Sequence, residues 1–159
     1  MSVAVVSMSK MVISKKPDDV LITYSLGSCI GVSVYDPRLH VGGLMHCMLP
    51  QSSIHPCKAE ESPCMFVDTG FPVLLDGMLN AGCGKDDLVV KAAGAGCMIE
   101  DGDAFRIGER NQKALYRVLK KEGMTLAAES VGGNHARSIH FQVSTGDLTV
   151  KINEKEMKI

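Results

Sequence analysis

Short apolar runs and two-residue alternation dominate the first third of this chain, and helical spacing appears only later. Residues 3–6 and 20–24 read as strands rich in β-branched side chains, separated by a polar turn around Lys15-Lys16-Pro17-Asp18-Asp19. Residues 30–35 alternate, residues 44–49 form a second apolar run, and Asp36-Pro37-Arg38-Leu39 between them has the residues of a type I turn. Residues 51–64 carry no period and two prolines, which predicts a surface loop. From Asp68 to Ala81, Phe71, Leu74, Leu75, Met78 and Leu79 fall on one helical face. Asp68 is the expected cap, Pro72 is expected in or near the first turn, and Gly82 and Gly84 end the helix.

Residues 87–93 then read as a strand entering a tight turn at Gly94-Ala95-Gly96. A second helix has Ile107, Ala114, Leu115, Val118 and Leu119 as its apolar stripe and Glu109–Lys113 as an i,i+4 pair. It stops at Gly123. Strands at 124–130, 137–143 and 147–152 finish the chain, the last two joined through Ser144-Thr145-Gly146-Asp147. Two helices among about eight mostly antiparallel strands predict an α+β fold of packed layers, in one domain over residues 1–159.

Composition narrows the function. A net charge of -1 offers no field for nucleic acid or anionic lipid, and 4% aromatics without Trp offer no base-stacking platform. No apolar run reaches membrane-spanning length, and no charged stretch precedes an apolar core at the N-terminus, so no membrane insertion or secretory signal is expected. Cysteines 29, 47, 57, 64, 83 and 97 accordingly read as reduced thiols of a cytoplasmic protein.

The candidate chemistry lies in Leu26-Gly27-Ser28-Cys29 and Gly43-Leu44-Met45-His46. Cysteine can supply a nucleophile and histidine its base, and the small residues beside Cys29 free backbone amides to face a reacting carbonyl. Pairing the two runs about the Asp36–Leu39 turn sets Cys29 opposite His46, with Cβ atoms roughly 5 Å apart. Thr23 is a third candidate, able to hold the imidazole by a hydrogen bond. A lone cysteine after a strand is ordinarily core filling, and Thr23 alone is an ordinary strand residue. His46, Cys47, His55, Cys57 and Cys64 cluster in sequence but lack zinc-ligand spacing. Gly94-Ala95-Gly96 lacks the ending of a phosphate loop. No metal or organic cofactor is expected.

The chain resembles CheD, the chemoreceptor glutamine deamidase family of bacterial and archaeal chemotaxis. The resemblance rests on Thr23, Leu26-Gly27-Ser28-Cys29, Gly43, His46, Met48-Leu49-Pro50 and Val67-Asp68-Thr69. Lys91, Gly94-Ala95, Met98, Ile107-Gly108-Glu109-Arg110-Asn111, Gly132-Gly133 and Arg137 complete it. It implies that Cys29, His46 and Thr23 are the catalytic trio, and that the fold is an α/β/β sandwich similar to the catalytic domain of the cytotoxic necrotising factors. Implied substrates are glutamines on the cytoplasmic helices of methyl-accepting chemotaxis receptors, converted to glutamate, with glutamate methyl-ester hydrolysis also attributed to the family. A CheC-type phosphatase is the implied partner. Two departures are Ala92-Ala93-Gly94-Ala95-Gly96, where the family usually has Phe-Gly-Gly-Ala, and Ala136 in place of a common glycine. Other classes compatible with the residues are a non-catalytic regulator of such a phosphatase and a redox or metal sensor using the extra cysteines.

Overall fold

A computed structural model of the protein describes residues 1–98 and 106–159. Among them are ten strands: β1 (Ser2–Val5), β2 (Met11–Ser14), β3 (Asp19–Leu26), β4 (Ile30–Asp36), β5 (Val41–Cys47), β6 (Val89–Gly94), β7 (Leu126–Val131), β8 (Arg137–Gln142), β9 (Leu148–Ile152) and β10 (Lys155–Lys158). The α-helices are α1 (Pro56–Glu61), α2 (Val67–Asn80) and α3 (Ile107–Lys121). One sheet has the order β1-β3-β8-β9-β10 and the other β2-β5-β4-β6-β7, with β1–β3 and β6–β7 the parallel pairs. The fold is α+β, as expected. No helix among the described residues is long and apolar enough to cross a membrane.

Alternation along β4 and β5 divides the core in two. Ile30, Val32, Val34, Met45 and Cys47 face α2 and α3, packing on Phe71, Leu74, Leu115 and Val118. Tyr35 and Leu44 face the other sheet and pack on Leu21, Ile139, Phe141 and Leu148. The β2-β5-β4-β6-β7 sheet is therefore covered on both faces, which is why β4 and β5 are buried along their whole length. Glu109 and Lys113 form the expected pair at 2.9 Å, and Gly123, at φ 70°, ends α3.

Several expectations are corrected. Met11–Ser14 is a strand on the sheet edge, and a fourth closing strand, β10, follows a turn at Asn153. The segment expected as an irregular loop at 51–64 contains α1, which starts on Pro56 with His55 Nδ1 accepting from the Lys58 amide at 3.1 Å. Asp68 does not cap α2: its carboxylate accepts from the Ser52 amide at 2.8 Å and the Ser52 hydroxyl at 2.9 Å, and the cap position is Phe66. Pro72 lies inside α2, beyond the first turn.

The central hairpin also differs in register. Asp36 pairs with Val41 and Gly31 with His46, so Cys29 is not opposite His46. His40 takes up the left-handed conformation (φ 52°), giving a loop of Pro37–His40 between the paired ends rather than a two-residue turn. Asp36, fully buried, holds that loop by accepting from the amides of Arg38 at 2.9 Å and Leu39 at 3.3 Å. Burial of the Cys83 thiol, together with the nearby Asp36 carboxylate, pushes it up to about 11. Asp36→Ala is expected to lower unfolding free energy by about 2–3 kcal/mol, because two amides lose a charged acceptor. Urea denaturation with an unchanged m-value would measure it.

Candidate active site

Three separate segments converge where β3, β4 and β5 end near one another. Thr23 lies on β3 just before an irregularity, after which Leu26 pairs with Arg137 and Ser25 takes φ 59°. That irregularity leaves Tyr24 and Ser25 exposed and turns the chain into Gly27-Ser28-Cys29. His46 sits near the end of β5, its amide donating to the Lys10 carbonyl at 3.0 Å and its carbonyl accepting from Ser9 at 2.8 Å. The turn between β1 and β2 thus fixes the backbone of the histidine.

The imidazole is buried, 2% exposed, and its Nδ1 lies 2.7 Å from Thr23 Oγ1. Thr23 Oγ1 also lies 2.6 Å from the Val6 carbonyl, which can only accept. The single hydroxyl hydrogen therefore goes to Val6, and Oγ1 accepts from His46 Nδ1–H. This assigns the tautomer of the neutral ring: the proton sits on Nδ1 and the lone pair on Nε2. Nε2 is buried and has no hydrogen-bond partner among the described residues. Burial holds the imidazole below its ordinary value of 6.5, so it is uncharged at neutral pH.

Cys29 is 9% exposed and belongs to the same side of the sheet, among the residues between the two sheets. The register differs from the expected one by two positions. An even difference preserves the face, so Cys29 continues past the last β4–β5 pair as a diagonal neighbour of His46 rather than a direct one. The structure contains no hydrogen bond between the thiol and Nε2. Burial raises the thiol above its ordinary value of 9.0, an effect its own backbone amide opposes. The resting pair is a neutral thiol and a neutral imidazole.

The Cys29 loop is anchored through its carbonyls. Gly27 O accepts from the Gly96 amide at 2.8 Å and Cys29 O from Ala95 at 2.7 Å. Ser28 O accepts from Asn111 Nδ2 at 2.8 Å. Arg137, 7% exposed, braces the same corner by donating to Gly94 O at 3.1 Å and Gly132 O at 2.7 Å. With three successive carbonyls engaged, the amides of Ser28 and Cys29 donate to no carbonyl among the described residues.

Comparison with known proteins gives the family of the chain. The family model described as CheD chemotactic sensory transduction matches residues 48–152. The chain belongs to the CheD family. A protein of Solibacter usitatus named "Probable chemoreceptor glutamine deamidase CheD" is 42% identical over 143 residues, 90% of this chain and 85% of its own. A relative from Anaeromyxobacter dehalogenans, "Probable chemoreceptor glutamine deamidase CheD 2", is 39% identical over 155 residues, 98% of each chain. An archaeal relative from Pyrococcus abyssi, "Probable chemoreceptor glutamine deamidase CheD", is 38% identical over 138 residues, 86% of this chain and 83% of its own. The second of these alignments takes in the Thr23-to-His46 segment that precedes the region matched by the CheD model.

The other titratable candidates are committed to other bonds or face the opposite side of the sheet. His40 Nδ1 is 2.9 Å from the Tyr35 hydroxyl and 3.0 Å from Ser144 O, and His55 is spent on the α1 cap. Cys47 faces the helices and is held strongly protonated, first by burial and then by Cys64, Cys29 and Asp68. Among the described residues no three His, Cys, Asp or Glu side chains converge on a position for a metal ion.

The groups that hold the trio are not evident from residue types. Gly94-Ala95-Gly96, which reads as a tight turn, supplies the amides that bond the Gly27 and Cys29 carbonyls. Asn111 is legible in principle, because it falls at i+4 from Ile107 and i−4 from Leu115, a polar residue within an apolar stripe.

Proposed function

We propose that this protein hydrolyses glutamine side chains of chemotaxis receptors to glutamate, with Cys29 as nucleophile, His46 as general base and acid, and Thr23 as the residue that orients His46. The observation that carries this is the hydrogen-bond chain from His46 Nδ1 through Thr23 to Val6, which leaves the buried Nε2 with a free lone pair and no hydrogen-bond partner among the described residues. The names of the CheD relatives supply the substrate class.

His46 Nε2 removes the thiol proton as Cys29 Sγ attacks the carboxamide carbon. The tetrahedral oxyanion is met by the Ser28 and Cys29 amides. As the C–N bond breaks, His46 returns the proton to nitrogen and ammonia leaves, forming a γ-glutamyl thioester. His46 then takes a proton from water, whose oxygen attacks the thioester. The proton passes to Sγ as the C–S bond breaks, regenerating the thiol and releasing glutamate. Throughout, Thr23 accepts from Nδ1–H, in the imidazolium as well as in the neutral ring. No metal or cofactor enters these steps. A methyl ester at the same carbonyl would react by the same route, with methanol leaving.

The substrate glutamines belong to helices in the cytoplasm, so the protein acts there. A CheC-type phosphatase is its binding partner in this reading, which rests on the family resemblance alone. The layer order of helices, central sheet and outer sheet, within one domain over residues 1–159, supports the resemblance to the cytotoxic necrotising factor catalytic domain.

The test is incubation with receptor cytoplasmic fragments and peptide mass spectrometry of each glutamine. Conversion to glutamate is expected, and the absence of conversion on every fragment overturns the proposal. The pH profile adds a second check. The base works only when neutral, and burial lowers its pKa, so kcat/KM should stay high to below pH 6.5. It should hold its plateau to above pH 9.0, since Cys29 titrates higher than usual. A half-maximal point above 6.5 on the acid side would contradict the neutral-pair description.

A further inference from the structure

Asn111 is fully buried on α3, where its neighbours along the stripe are apolar. Its Nδ2 group donates two hydrogen bonds, to Ser28 O at 2.8 Å and to Met48 O at 3.1 Å. Ser28 immediately precedes Cys29, and Met48 follows His46 by two residues. The β4–β5 ladder has already ended at the Ile30–Cys47 pair. Beyond that pair the two segments present carbonyls, and two acceptors cannot bond each other. A group with two hydrogens on one nitrogen can join them.

The rest of the side chain argues against a role in packing alone. Asn111 Oδ1 is buried without a hydrogen-bond partner among the described residues, a cost that an apolar residue at the same position would not incur. The position therefore retains an amide despite its effect on the core. We infer that Asn111 is a positioning residue for catalysis: it replaces the missing next rung of the ladder and sets the separation between the Cys29 thiol and His46 Nε2. The inference rests on the assignment of Cys29 and His46 as nucleophile and base. It goes beyond that assignment by naming the group that makes their distance reproducible.

Without the clamp, the Gly27–Cys29 loop keeps its bonds to Ala95 and Gly96 but loses its tie to the histidine strand. Small displacements of reacting groups are costly, so kcat of folded Asn111→Ala should fall by about 10²-fold while KM stays within about threefold. A coupling measurement separates positioning from mere structural support. The rate of Cys29 alkylation by iodoacetamide at pH 7 is measured in wild type, His46→Gln, Asn111→Ala and the double variant. His46→Gln is expected to slow alkylation in the wild-type background and to have little further effect once Asn111 is alanine. Full additivity, or folded Asn111→Ala with unchanged kcat, overturns the inference.

Where Asn111→Ala does not fold, Asn111→Asp keeps the volume and removes the paired donors, and the same kcat loss is expected. Failure of both variants to fold would make Asn111 a determinant of the fold and overturn the positioning role. Cys29→Ala is run in parallel. Retained deamidation there defeats the nucleophile assignment, whereas loss there with an indifferent Asn111→Ala defeats only the clamp.

Discussion

Cys29→Ala is expected to end glutamine conversion while leaving the fold in place. The residue contributes one sulfur to the region between the sheets, so its removal should cost only about 1 kcal/mol of stability. Circular dichroism and thermal unfolding would register that small change, and mass spectrometry would register complete loss of product. His46→Gln should lose about 10²–10⁴-fold in kcat, the usual range for removal of a general base. Thr23 separates orientation from chemistry. Thr23→Val deletes the acceptor for Nδ1–H and the donor for Val6 O, stranding two buried groups at about 1–3 kcal/mol each. It also frees the ring to hold its proton on Nε2, where it cannot act as base, so a loss of about 10–10³-fold is expected. Thr23→Ser restores the hydroxyl and should recover most of the rate. Equal activity of the serine and valine variants would exclude the tautomer assignment.

The second large effect should follow from Gly94→Ala. Gly94 has φ 108°, a conformation L-residues avoid, and an added Cβ would collide with the Cys29 carbonyl and approach Leu26 Cβ to 3.2 Å. Neither neighbour can swing away, since one is backbone and the other the root of a buried side chain. Strain and overpacking together should remove about 3 kcal/mol or more of stability. The activity of the folded fraction should fall further, because relief of the clash displaces Cys29, the proposed nucleophile. Gly108→Ala offers a comparison on the opposite side of the same corner, where the new methyl would press on Gly96 O and lie 2.8 Å from Ala95 C. Denaturant unfolding paired with activity per folded molecule tests both. A Gly94→Ala protein with native stability and native rate would mean that the Gly27–Cys29 loop is not built against the end of β6.

Residues such as Gly94 and Gly108 show where the sequence is legible and where it is silent. Elements with a strong apolar period, such as α3 with Leu115 and Val118 or β4 with Val32 and Val34, are legible because burial on one or both faces writes itself into the residue pattern. Two edge strands are not. Met11–Ser14 is too short to show alternation against its surroundings. Lys155–Lys158 is exposed at every position, so nothing distinguishes it from a polar tail. Helix α1 is too short for periodicity and shows only as Pro56 followed by polar residues. Cys29, His46 and Thr23 stand out through their residue types and family motifs. Their hairpin register does not, because His40 adopts a left-handed turn conformation, which a histidine does not advertise. Supporting groups such as the Ala95 and Gly96 amides leave no trace, because backbone donors carry no side-chain signature.

The Val6 carbonyl ties the chemistry of the site to the edge of the fold. It is the acceptor that commits the Thr23 hydrogen, and it lies just past β1, an edge strand with Val3 and Val5 half exposed. The proton inventory of the site is thus wired to the periphery of the chain. If β1 detaches, the Thr23 hydroxyl can rotate and donate to Nδ1, moving the ring proton to Nε2 and silencing the base without disturbing Cys29. Peeling or trimming a peripheral strand would then read out as an altered acid–base profile, not as a missing residue.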